Sequence, residues 1–152
     1  MVSENVSAAD AKVRADVDKF GWHCLNVWPE KGNDHPAFSY TIGLTESYEH
    51  PEIMVFGLDE KAHGILNECV QLVRNGNKLV ANAPNADVLS GGYDVVFKPI
   101  RKECFADYLG TAVRFYGSRP FQALVLFWPN KEGRFPWEIH GQTLQAEALN
   151  II

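Results

Sequence analysis

Two neighbouring stretches constrain the fold more than anything else in the chain: Pro36-Ala-Phe-Ser-Tyr-Thr-Ile-Gly-Leu44 and, after a short loop, Pro51-Glu-Ile-Met-Val-Phe-Gly-Leu58. In the first, Phe38, Tyr40, Ile42 and Leu44 alternate with the slimmer Ala37, Ser39, Thr41 and Gly43. That period of two belongs to a strand with one bulky and one slim face. The second stretch is apolar at nearly every position from Ile53 to Leu58, which predicts a strand covered on both sides. Together they read as the centre of a sheet.

The rest of the chain supplies elements to pack on it. Ser7 can cap a helix from Ala8 to Phe20, in which Ala9, Val13, Val17 and Phe20 form one apolar stripe before Gly21. Trp22 to Trp28 reads as a strand, stopped by a proline-bounded loop. After Leu58, Asp59 is an N-cap for a helix marked by Ala62, Ile65, Leu66, Cys69, Val70 and Val73 and closed at Asn75-Gly76. Residues 77–87 read mainly as loop because of Pro84 and the asparagines, although Lys78 to Ala81 has some strand character. Ser90-Gly-Gly92 predicts a hairpin turn into a strand from Tyr93 to Lys98. A helix from about Lys102 to Tyr116 follows, and Phe121 to Trp128, the most apolar run, predicts a central strand.

The class these elements define is α+β, with helices packed on a mainly antiparallel, strongly curved, barrel-like sheet of five to seven strands. Phe38, Tyr40, Ile42, Val55, Leu66, Val73, Leu109, Val113, Val125 and Phe127 are the expected core. A chain of 152 residues without repeat, linker or low-complexity tract fits one domain over 1–152.

Charge and cysteine usage narrow the function classes. A net charge of −5 speaks against a general nucleic-acid binder, though it leaves room for a locally basic patch. No apolar run approaches the ~20 residues needed to cross a bilayer, and Val2 to Asp18 interleaves charges where a signal peptide needs an apolar core, so a cytoplasmic protein is expected. Cys24, Cys69 and Cys104 are odd in number, far apart and set in apolar segments, which predicts buried free thiols.

Few residues offer chemistry. His35 and His50 each stand before proline beside a carboxylate, but an extended strand between them holds them about 26 Å apart. They are expected to be exposed and non-ligating, with no structural metal. There is no G-x-S-x-G elbow, P-loop or dinucleotide fingerprint. Two groups remain. Thr41, Thr45 and Ser47 put hydroxyls at a strand end, where they can meet a phosphate or satisfy a turn. Trp128, Arg134 and Trp137 lie in Trp128-Pro-Asn-Lys-Glu-Gly-Arg-Phe-Pro-Trp137, an aromatic and arginine concentration of the kind found at interface hot spots or in a structural clasp.

Phe38-Ser-Tyr-Thr-Ile-Gly-Leu44, His50-Pro-Glu-Ile53 leading to the Asp59 helix, and Trp128-Pro-Asn-Lys-x-Gly-Arg-Phe-Pro-Trp-Glu138 resemble the bacterial domain-of-unknown-function family numbered 4262. The resemblance spans roughly Gly21 to Glu138 and implies a small single-domain protein without assigned catalytic residues. After Trp137 the chain departs from that pattern, with Glu138-Ile-His140 in place of an Asp-Pro-Gly run. A narrower likeness, confined to Phe38 to Leu58, is to flavin-binding split barrels; it implies FMN, with Thr41, Thr45 and Ser47 on its phosphate, although no basic residue accompanies them. The favoured expectation is a non-catalytic binding module without cofactor, an interaction or immunity-type protein acting on a protein partner. The alternative is a flavin-binding oxidoreductase.

Overall fold

The computed structural model describes residues 8–28, 36–139 and 145–152. Along them run α1 (Ala8–Phe20), β1 (His23–Val27), β2 (Phe38–Ile42), α2 (Leu44–Tyr48), β3 (Glu52–Phe56), α3 (Ala62–Arg74), β4 (Pro84–Asn85), β5 (Val95–Pro99), α4 (Phe105–Tyr108), α5 (Gly110–Tyr116) and β6 (Ala123–Phe127). The strands form one sheet in the order β1-β2-β3-β6-β5-β4. As the apolar runs imply, β3 and β6 are central.

The α+β class holds, but the sheet differs from the expectation of a mainly antiparallel, barrel-like one. It is mixed: β3 and β6 run parallel, with Met54 opposite Val125, while their outer neighbours pair antiparallel. It is also open, neither closed nor strongly curled. A parallel pair needs a long crossover, and residues 57–122 supply one that carries α3, β4, β5, α4 and α5. The edges stay open at β1 and at the two-residue β4, where Pro84 is tolerated because an edge strand has a side without ladder bonds.

Alternation along the central strands divides the core between two faces. Met54, Phe56, Val125 and Phe127 point with Tyr40 and Ile42 towards Val13 and Val17 of α1 and Leu109 and Ala112 at α5. Ile53, Val55, Leu124 and Leu126 point with Val95 and Phe97 towards Leu66, Cys69, Val70 and Val73 of α3. Both faces of β3 and β6 are therefore covered, which is why these strands read as unbroken apolar runs.

Several local expectations are corrected. The Phe38 strand stops at Ile42 because Gly43, at φ 115°, turns the chain into α2, a helix the strand pattern concealed. A Cβ at Gly43 would lie 2.9 Å from Gly21 O and from Val17, so the turn also needs the missing side chain. The helix from Lys102 to Tyr116 breaks at Leu109 (φ −119°, ψ 34°), ahead of Gly110. Ser90–Gly92 forms a 3₁₀ turn rather than a tight hairpin, since β5 finds its antiparallel partner in β4. A 3₁₀ turn at Asp59–Lys61 leads into α3, which has no side-chain cap. Ser7 lies outside the described residues.

In the expected core, Phe38 is half-buried and Val113 is 36% exposed. The buried stripe here is Leu109, Ala112 and Tyr116 at i, i+3 and i+7, and Val113 falls beside it. On α1 only Val13 and Val17 are buried, while Ala9 and Phe20 face solvent. Replacing Leu109 by Ala is expected to cost about 2–5 kcal/mol and Val113→Ala less than about 1 kcal/mol, as read by urea unfolding. Equal losses would show that α5 packs on a different stripe.

Candidate functional site

The end of the sheet where β3 and β6 finish carries an aromatic corner. From Phe127 the chain passes through Trp128 into a turn tied by Asn130, whose side-chain oxygen accepts from Glu132 N and Arg134 N, both at 2.9 Å. Pro136–Glu138 then forms a 3₁₀ turn, and its Glu138 carboxylate accepts from the N–H of the preceding Phe135 at 2.8 Å. This fixes Trp137 flat on Phe135 (ring centroids 5.0 Å apart, planes 3° apart) and edge-on to Phe127 at 5.3 Å. Lys98 Nζ stands 4.9 Å above the Trp137 ring, a cation–π contact.

Thus Trp137 is braced from below yet 43% exposed. The Arg134 side chain is 62% exposed, with the Glu132 carboxylate 3.8 Å away. Trp128 is half-buried, and its backbone N–H and C=O are both held by the Gln145 amide at 2.9 Å. Exposed Trp28, which the sequence reading passed over, follows β1 at the same end, since Val27 pairs with Phe38 and Phe38 with Phe56.

The hydroxyl group of candidates lies at the opposite end and turns inward. Thr41 is fully buried: its hydroxyl donates to Glu52 Oε1 at 2.8 Å and accepts from Ile53 N at 2.9 Å. Thr45 donates to His50 O at 2.9 Å and Ser47 to Gly21 O at 2.7 Å. All three hydroxyl protons are therefore engaged within the protein. Together with the open, mixed sheet, this leaves the likeness to flavin split barrels without structural support.

What sequence reasoning missed at this end is Glu52. Its carboxylate is fully buried and accepts from Thr41 Oγ1, from Leu44 N at 3.2 Å, from Thr45 N at 3.0 Å and from the Tyr116 hydroxyl. Tyr116 in turn accepts from Gly43 N at 3.2 Å. Burial pushes the Glu52 carboxyl above the usual carboxylate range, and the four donated bonds offset part of that push. Burial and the neighbouring Glu52 raise the Tyr116 phenol as well. The signal was available: a lone acid heading an otherwise apolar strand requires built-in donors.

The histidines and cysteines are structural or peripheral in different ways. His50, expected to be exposed, is buried; its Nδ1 contacts Pro51 O at 2.8 Å and its Nε2 accepts from Leu79 N at 3.2 Å. Burial holds it below the usual imidazole range, which suits a neutral ring that donates from one nitrogen and accepts at the other. His35 lies outside the described residues. All three cysteines are free; Cys69 is buried, but Cys24 and Cys104 are only half-buried. Burial raises the Cys24 thiol to about 11 and Cys69 to about 12, so neither is a ready thiolate. Among the described residues, no group of three or more His, Cys, Asp or Glu side chains could hold a metal, and no helix is long and apolar enough to cross a membrane.

Fold and sites together define a small α+β protein with an aromatic corner at one end of an open mixed sheet and a buried carboxylate at the other. The chain belongs to the family described as domain of unknown function (DUF4262), whose model matches residues 16–141. No curated protein and no solved structure matches the chain.

Two substitutions separate the acids at the Glu52 end. Glu52→Ala leaves buried donors unpaired and is expected to lower stability by about 3–5 kcal/mol in urea unfolding; a loss below about 1 kcal/mol would contradict the network. Glu46 accepts from Arg14 and Arg119, which hold its carboxyl down from 4.5 to about 2. A lowered folded value adds stability above the ordinary range that is lost as pH falls through the folded one. Glu46→Gln should therefore flatten the acid limb of the stability profile between these values; an unchanged limb would show that solvent screens the pairs.

Proposed function

We propose that this protein is a non-catalytic binding module that engages a protein partner through the corner formed by Trp128, Arg134 and Trp137. The observation that carries this reading is Trp137, held flat on Phe135 and against Phe127 while nearly half of its surface remains exposed. A ring already fixed by its neighbours loses little conformational entropy when a partner covers it. Arg134 beside it adds directional donors, and tryptophan and arginine are the residues enriched in hot spots.

The surface around Trp137 carries both signs of charge, Lys98 on the ring and Arg134 with the Glu132 carboxylate 3.8 Å away, which suits a partner that offers an apolar pocket with a polar rim. The buried acid at the other end fits a structural tie better than a reagent, because every contact to its carboxylate comes from the protein's own donors.

The test is affinity purification from the native host with quantitative mass spectrometry, comparing the natural chain with Arg134→Glu and with Arg134→Ala/Trp137→Ala. The proposal expects the same specific partner to be depleted by both variants, with binding weakened by more than about 2 kcal/mol and Arg134→Glu melting as the natural chain does. Retention of the partner by Arg134→Glu, together with a lower melting temperature for the double variant, would make the corner a clasp and overturn the reading.

A further inference from the structure

A second polar site lies at the β1 edge, away from the corner. The C-terminal half of α1 and the polar face of α3 form the walls of a cleft of about 750 Å³, floored by the entry to β1 and by Tyr48. That volume falls within the usual range for small-molecule sites.

Three observations give the cleft a chemistry. The first is an imidazole in a fixed tautomer. Asp16 is held ionised by Lys12, whose ammonium lies 2.8 Å from one carboxylate oxygen, while the other oxygen lies 2.7 Å from His23 Nδ1. An ionised carboxylate only accepts, so Nδ1 carries the proton, and in the neutral form of the ring Nε2 is the acceptor. Among the described residues Nε2 has no hydrogen-bond partner, and His23 lines the cleft.

The second is charge. In a chain of net charge −5, three cations (Lys12, Lys19 and Arg74) line this cleft against one carboxylate, Asp16. Arg74 is anchored rather than loose: Nε donates to Tyr48 Oη at 2.9 Å and Nη2 to Phe20 O at 2.8 Å. Nη1 has no partner among the described residues. The third is the α3 wall, where Asn67 and Gln71 stand one turn apart, Gln71 Nε2 donating to Asn67 Oδ1 at 3.5 Å, and line the cleft with amide groups.

We propose that this cleft binds a small hydroxylated organic anion, with its oxyanion among Lys19 and Arg74 and a hydroxyl donating to His23 Nε2. The cations alone would take any anion. Nε2 of the neutral Nδ1–H tautomer selects one that also carries a donor, as a sugar phosphate or a hydroxycarboxylate does, and the amides contact its remaining hydroxyls. The inference does not rest on the corner's role, because the two sites share no residue.

Calorimetry and ¹⁵N-histidine NMR on the full chain test it with three probes: ribose 5-phosphate, malate and unphosphorylated ribose. Saturable binding of either anion at millimolar concentration, with His23 Nε2 shifting and ribose inert, supports the site and tells phosphate from carboxylate. His23→Phe and Lys19→Glu should each weaken that binding about tenfold or more. Lys19 is on the exposed surface, so its variant remains informative if His23→Phe fails to fold. No saturable binding of either anion, equal binding of ribose, or unchanged affinity in folded Lys19→Glu would overturn the proposal.

Discussion

Much of this structure depends on one carboxylate placed where water cannot reach it. Burying an ionisable acid costs several kcal/mol unless hydrogen bonds replace its hydration. Glu52 recovers that cost by collecting four donors from three elements: the Thr41 side chain on β2, the Leu44 and Thr45 amides in the first turn of α2, and the Tyr116 phenol at the end of α5. Negative charge at the start of α2 also meets the positive end of its peptide dipoles. The same bonds specify the sheet. Thr41 accepts from Ile53 N while donating to Glu52, so a one-residue slip of β3 against β2 would break both contacts and turn the apolar set of β3 to the wrong faces.

This constraint also shapes where recognition can occur. At the Glu52 end the hydroxyls and the buried imidazole of His50 are spent on internal bonds, which makes the surroundings of the carboxylate rigid, so that the groups open to a ligand there are those of the neighbouring cleft at His23, Lys19 and Arg74. The far end of the central strands is built differently. There the chain leaves β6 through a proline-flanked turn, and Phe127, Phe135 and Trp137 brace one another while the outer ring stays half-exposed. Rigidity at one end and a supported aromatic surface at the other suit a binding module.

Elements whose burial was one-sided or complete were legible in the sequence. The apolar runs of β3 and β6 placed them at the centre, and Leu66, Val73 and Leu109 were correctly turned to the core, whereas Val113 was not. Illegible was whatever depended on a partner distant in sequence. The parallel pairing of β3 with β6 is set across 66 residues, beyond the reach of any local pattern. The strand pattern running through Leu44 hid α2 because helix and strand share their apolar residues, and only the packing of Gly43 against Gly21 and Val17 decides between them. Similarly, the Asp16–His23 pair joins a helix to the following strand, and neither residue stands in a recognisable motif.

The most direct test of the account is a backbone NMR footprint of the isolated protein titrated with the partner recovered through it. The account predicts shifts concentrated at residues 128–139 and at Lys98, with the Leu44 and Thr45 amides that hold Glu52 unmoved. Shifts centred on Leu44, Thr45 and Tyr116, with the Trp137 indole unchanged, would contradict it and make the buried carboxylate, not the aromatic corner, the functional centre.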